Sequence, residues 1–113
     1  MEIKIEQTIK EIINFLYDKK AMDIKAFNVT NLTPLWDYII ISSTSNTTHV
    51  KSLTEDLKDF LADDLIKNIE KDDNFNWVVI DCGLFIIHIF HQTTREFYNL
   101  ESLWSDATQM NFD

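Results

Sequence analysis

Asn76-Trp77-Val78-Val79-Ile80-Asp81-Cys82-Gly83-Leu84-Phe85-Ile86-Ile87-His88-Ile89-Phe90-His91 is two runs of β-branched and aromatic residues, broken at the only glycine of the chain. The pattern predicts a β-hairpin, because glycine reaches the positive φ that a two-residue turn requires. Whether the turn pair is Cys82-Gly83 or Gly83-Leu84, alternation with period two puts the same residues on one face. Val78, Ile80, Cys82, Phe85, Ile87 and Ile89 share a face without a polar side chain until His91, so this is the expected core face. The other face carries Trp77, Val79, Asp81, Ile86, His88 and Phe90. It is too apolar for free solvent, yet it holds a carboxylate and an imidazole. The expectation is a partly covered face, under a helix, a second copy of the chain or a partner.

Outward from the hairpin, the apolar spacing Ile5, Ile9, Ile12, Ile13, Leu16 predicts an amino-terminal helix ending near Lys19-Lys20. Ala21 to Val29 reads as a strand, Thr30 to Pro34 as a turn, and Leu35 to Ser42 as a central strand, apolar on both faces. Ser45 or a neighbour caps a second helix that carries Val50, Leu53, Leu57, Leu61 and Leu65, with fraying at Asp63-Asp64. Leu65 to Ile69 suggests a short strand and Glu70 to Asn74 a charged loop. Arg95 to Trp104 reads as one last helix with Phe97, Leu100 and Trp104 on one side. Ser105 onward reads as a tail, and the domain is placed at residues 1–107 with 108–113 outside it. The fold class is α+β: a mixed β-sheet with helices packed on it.

The chain has 113 residues, enough for one domain, and a formal net charge of −9, which disfavours bare nucleic acid and anionic membrane. A nucleic-acid machine would be met through a basic protein component. The single cysteine, Cys82, excludes an internal disulfide and suits a reducing cytoplasm. Met1 to Lys10 mixes charges with single isoleucines, unlike a signal peptide, and the longest apolar run is too short to span a bilayer.

The titratable residues offer few arrangements suited to chemistry. His88 and His91 form an H-x-x-H that could share a metal on a helix; on a strand they point to opposite faces, which argues against it. Asp81 and His88 share a face. They suit either a general base with its orienting carboxylate or a plain hydrogen-bonded pair. No motif fixes a nucleophile beside them. Ser42-Ser43-Thr44-Ser45 precedes a helix but lacks the glycine and lysine of a phosphate loop, so capping is the expected role. Cys82 has no neighbouring cation in sequence and is expected to be inert. Trp104 suits a core; Trp77 and Tyr98 suit a core or an interface anchor equally. No catalytic set, cofactor or metal is expected.

Taken together, Lys20-Ala21-x-Asp23-Ile24, Asp37-Tyr38-x-Ile40-Ile41, Thr44-Ser45-x-x-x-His49-Val50, Trp77-Val78-Val79-Ile80-Asp81-x-Gly83, His88-x-Phe90-His91 and Arg95-Glu96-Phe97-Tyr98-x-Leu100-Glu101-x-Leu103-Trp104-x-Asp106-Ala107 resemble the ribosomal silencing factor (Iojap-related) family. The likeness runs from about Asn14 to Ala107. Departures are Thr44, where the family usually has glycine, together with Thr48, Cys82, Leu84, Ser105 and a loop from Lys71 to Asn76 without its usual glycine.

The resemblance implies a nucleotidyltransferase-like topology without catalytic residues, and no enzymatic activity. It implies a translation repressor that binds large ribosomal subunit protein fourteen, blocks subunit joining under nutrient limitation, and pairs as a homodimer when free. On this expectation the partner-binding residues are Trp77, Asp81, His88, Glu96, Tyr98 and Glu101. The alternatives are a nucleotidyltransferase-like enzyme, degenerate or active, and a large-subunit assembly adaptor.

Overall fold

A computed structural model describes residues 2–110. Residues 111–113 of the expected tail lie outside the described residues. Three helices, a 3₁₀ turn and six strands follow in the order α1 (Glu2–Asp18), β1 (Met22–Asn28), β2 (Tyr38–Thr44), α2 (Thr47–Phe60), β3 (Asn68–Lys71), β4 (Trp77–Asp81), β5 (Phe85–His91), α3 (Gln92–Tyr98), the 3₁₀ turn (Leu100–Trp104) and β6 (Thr108–Gln109). The sheet order is β3-β4-β5-β2-β1-β6, with β2 and β5 parallel and every other pair antiparallel. β2 is therefore interior and buried along its whole length, as an apolar run on both faces predicts.

The hairpin has the expected form. Asp81 lies opposite Ile86, and the Cys82 N–H donates to the Phe85 carbonyl at 2.9 Å, so the turn pair is Gly83-Leu84. Only Gly83 of that pair takes positive φ, at 84°. The core face is as read: Val78, Ile80, Cys82, Phe85, Ile87 and Ile89 pack against Ile9, Ile12 and Leu16 of α1 and Val50, Leu53 and Leu57 of α2.

The second face builds its own smaller core. Phe27, Val29, Ile39, Ile41, Ile86 and Phe90 are buried there, with Trp36, Trp77, Val79, Leu100, Trp104 and Ala107 packed around them. The cover is the chain's own carboxyl-terminal segment together with Trp36. The layers run α1 and α2, then the sheet, then α3 and the 3₁₀ turn.

Four local expectations are corrected. α2 stops at Phe60, not near Leu65, because Leu61 turns extended (φ −80°, ψ 143°) while still burying its side chain; the apolar spacing continues past the point where the helix ends. Its cap is Asn46, the neighbour of Ser45, whose side chain accepts the His49 N–H at 2.8 Å as expected of that stretch; what is corrected is the capping role of Ser42, Ser43 and Thr44, which are buried strand residues. The last helix is broken by Asn99 in the left-handed region (φ 48°), so Arg95 to Trp104 is two pieces, and Phe97 points outward at 80% exposure. Finally, the segment read as a tail re-enters the sheet: Thr108 and Gln109 pair with Asn28 and Phe27 of β1.

Candidate functional site

The second face is where the sequence places its candidate residues, and the structure separates them into three groups. Trp77, His88 and Tyr98 come together. Trp77 lies diagonal to His88 across β4 and β5, since Val79 faces His88 and Trp77 faces Phe90. Its indole Nε1–H donates to His88 Nδ1 at 3.1 Å. The indole stacks on Phe90 with centroids 4.8 Å apart and meets Tyr98 at 5.1 Å; Phe97 meets Tyr98 edge-on, also at 5.1 Å. Phe97 and Tyr98 are the solvent side of this cluster, 80% and 56% exposed. Thr93, Thr94 and Asp72 complete the rim of a shallow concavity here.

The backbone before Trp77 is held as firmly as its ring. Asp72 accepts the N–H groups of Asn76 (2.7 Å) and Trp77 (3.0 Å) through one carboxylate oxygen and the Asn76 amide (3.0 Å) through the other. Partial burial works against the Asp72 carboxylate, yet the N–H donors from Trp77 and Asn76 outweigh it and hold its pKa below the ordinary value. Phe75, between Asp72 and Asn76, sits at φ 57°, in the loop that lacks glycine.

Glu96 and Glu101 belong to a second concavity on the opposite side of α3, shared with Asp23, Lys25, Ser43 and Arg95. Arg95 is buried there. Its Nε donates to Glu101 at 2.9 Å and its guanidinium to Ser43 Oγ at 3.1 Å; Lys25 approaches Glu101 at 3.3 Å. The Arg95 bond, ahead of the opposing effect of burial, holds the Glu101 carboxyl below its usual range. Glu101 is thereby a structural partner of a buried cation, and Arg95 is the residue sequence reasoning missed. Arginine and glutamate six apart are not helix neighbours, and the break at Asn99 is what brings them together.

Asp81 stands apart again, at the hairpin end. Its Oδ1 accepts the Gly83 N–H at 2.9 Å and the Trp36 indole N–H at 3.4 Å. The expected Asp81–His88 pair does not form: His88 hydrogen-bonds Trp77, and Asp81 serves the turn. His88 and His91 point to opposite faces, and among the described residues no group of three or more His, Cys, Asp or Glu is placed to hold a metal. His88 is 8% exposed, and burial pushes its pKa down to about 4. It is neutral at pH 7, with the proton on Nε2 so that Nδ1 can accept. Cys82 is buried; desolvation, reinforced by the Asp81 charge, pushes its thiol up to about 11.

The family model described as ribosomal silencing factor during starvation matches residues 2–113. The chain belongs to the ribosomal silencing factor family. It is 33% identical over 98 residues to the ribosomal silencing factor of Bacillus subtilis, covering 85% of this chain and 83% of that one. It is 30% identical over 103 residues to the mouse protein named mitochondrial assembly of ribosomal large subunit protein 1, covering 86% of this chain and 45% of the mouse protein. A crystal structure from Bacillus halodurans superimposes with a TM-score of 0.79 at 28% identity, covering 94% of this chain and 98% of that one. The resemblance read from the residues is thus borne out, and with it the α+β fold. The family's name denotes regulation through the ribosome and not a reaction.

Proposed function

We propose that this silencing factor docks on large ribosomal subunit protein fourteen through the sheet face bearing Trp77, Tyr98 and Phe97, and that it acts in the cytoplasm by occupying the ground the small subunit must contact. The observation that carries this reading is the aromatic cluster itself. Two large apolar side chains, Phe97 and Tyr98, stand in solvent over a braced indole. Aromatic anchors of this kind dominate interface energetics. The net charge of −9 complements a basic ribosomal protein and speeds its capture. Asp81, Glu96 and Glu101 contribute to that field, although Asp81 and Glu101 are also engaged within the fold.

The test is subunit joining followed by light scattering. With the protein in excess over large subunits, joining slows strongly; an unchanged rate overturns the proposal. Trp77→Ala and Phe97→Ala are expected to restore joining and to lose pull-down of the isolated ribosomal protein. The free protein is proposed as a homodimer, which light scattering showing only monomer at high concentration would remove.

One observation favours a second reading, large-subunit assembly, namely the name of the mouse relative. Depleted cells that accumulate large-subunit precursors, with normal joining of mature subunits, would select it.

A further inference from the structure

We infer that His88 is a positioning residue: it does not meet the partner but fixes the Trp77 indole in the orientation that docking uses. The inference rests on the reading of this face as the docking surface. It is carried by geometry. His88 is buried in the strand next to Trp77 and presents Nδ1 as an acceptor to the indole N–H at 3.1 Å. The indole is then held on three sides: by Phe90 in stacking contact beneath it, by Tyr98 against its other flank, and by His88 at its only polar atom. Asp72 holds its backbone N–H as well. A half-buried tryptophan braced in this way has few rotamers left to lose when a partner lands on it, and pre-organised anchors bind more tightly for that reason.

The alternatives for His88 are poorly supported. Among the described residues no nucleophile or carboxylate is hydrogen-bonded to it. Its neighbours in the sheet are Val79 of β4 and Ile41 of β2. Asp81, the diagonal carboxylate on its own face, is turned to Gly83 and Trp36. An isoleucine or leucine would match this surround better than an imidazole does. What a hydrocarbon cannot do is accept the indole N–H, and that is the one polar act His88 performs among the hydrogen bonds of the described residues.

The experiment compares wild type with His88→Leu and His88→Asn. Asparagine places a carbonyl oxygen at the same number of bonds from the backbone as Nδ1, so it restores the acceptor without the ring. Two readouts are taken: the NMR resonance and hydrogen exchange of the Trp77 indole N–H, assigned by its loss in Trp77→Phe, and binding to isolated large ribosomal subunit protein fourteen.

His88→Leu is expected to move the indole N–H toward its solvent position, speed its exchange and weaken binding by roughly 3- to 10-fold, the range for freeing one side chain. His88→Asn returns both readouts toward wild type. An indole resonance unmoved in His88→Leu overturns the inference, as does weakened binding that asparagine fails to rescue. If wild type itself does not bind, the docking reading falls, and a disturbed indole with asparagine rescue still establishes that His88 positions Trp77.

Discussion

His88 makes the acid behaviour of the protein specific. In the folded chain its pKa lies at about 4, whereas the unfolded chain takes up a proton near 6.5. Between those values the unfolded state binds more protons, so stability is full above pH 6.5 and declines as the pH falls toward 4, below which this contribution is exhausted. A shift of that size corresponds to about 3 kcal/mol. The urea midpoint of wild type should fall between pH 7 and pH 5, and that of His88→Asn should fall less. Glu101 acts in the same direction in a lower window. Its depressed pKa contributes stability above the ordinary carboxylate value, lost as the pH drops through the folded one. Cys82 supplies a control: with its thiol at about 11, alkylation at pH 8 should be far slower than that of a free thiol and should track unfolding.

At the scale of elements, the hairpin and the α3 break carry most of the site. A Cβ added at Gly83 (φ 84°) would meet only ordinary van der Waals contact, the nearest atom being Lys67 Cε at 3.6 Å. Gly83→Ala is therefore opposed by backbone conformation alone and should cost about 1 kcal/mol in a denaturant titration, without loss of the fold. Glu101→Ala leaves the buried Arg95 without its main partner and should cost about 2–3 kcal/mol, the range for a hydrogen bond to a charged group. The hairpin could be read from the residues because Gly83 and strict alternation say the same thing. The core face followed from that alternation, and so did the presence of Trp77, Asp81 and His88 on one side. Their partners could not be read, since alternation is silent about which polar atoms meet. Trp36 reaches Asp81 from far along the chain. The α3 break was hidden because Phe97, Leu100 and Trp104 keep helical spacing while Asn99 leaves the helix. β6 has two polar residues, too few for any period to show.

At the scale of the whole molecule, charge and layering divide the labour between the two sides of the sheet. The α1–α2 side closes over the main core and exposes Tyr17 and Phe60 singly on its two helices, whereas the other side leaves Phe97 and Tyr98 exposed next to one another, in contact with each other and, through Tyr98, with the Trp77 indole. With a net charge of −9, capture of a basic partner should slow by roughly tenfold between about 0.05 and 0.5 M salt, with a smaller change in dissociation. Stopped-flow binding at several ionic strengths checks this; a salt-independent association rate would place the recognition in the aromatic cluster alone.

The parallel pairing of β2 with β5 reaches past recognition. It sets Tyr38 against Phe85 at the middle of the sheet, whereas β1–β2 and β4–β5 are each neighbours along the chain. Two ribbons can zip up early and locally; the seam between them must wait for a wide loop to close. Closure of that seam should then set the speed of refolding. Extra residues inserted between α2 and β3 should retard refolding and leave the equilibrium nearly as it was, because doubling such a loop adds only about 0.6 kcal/mol.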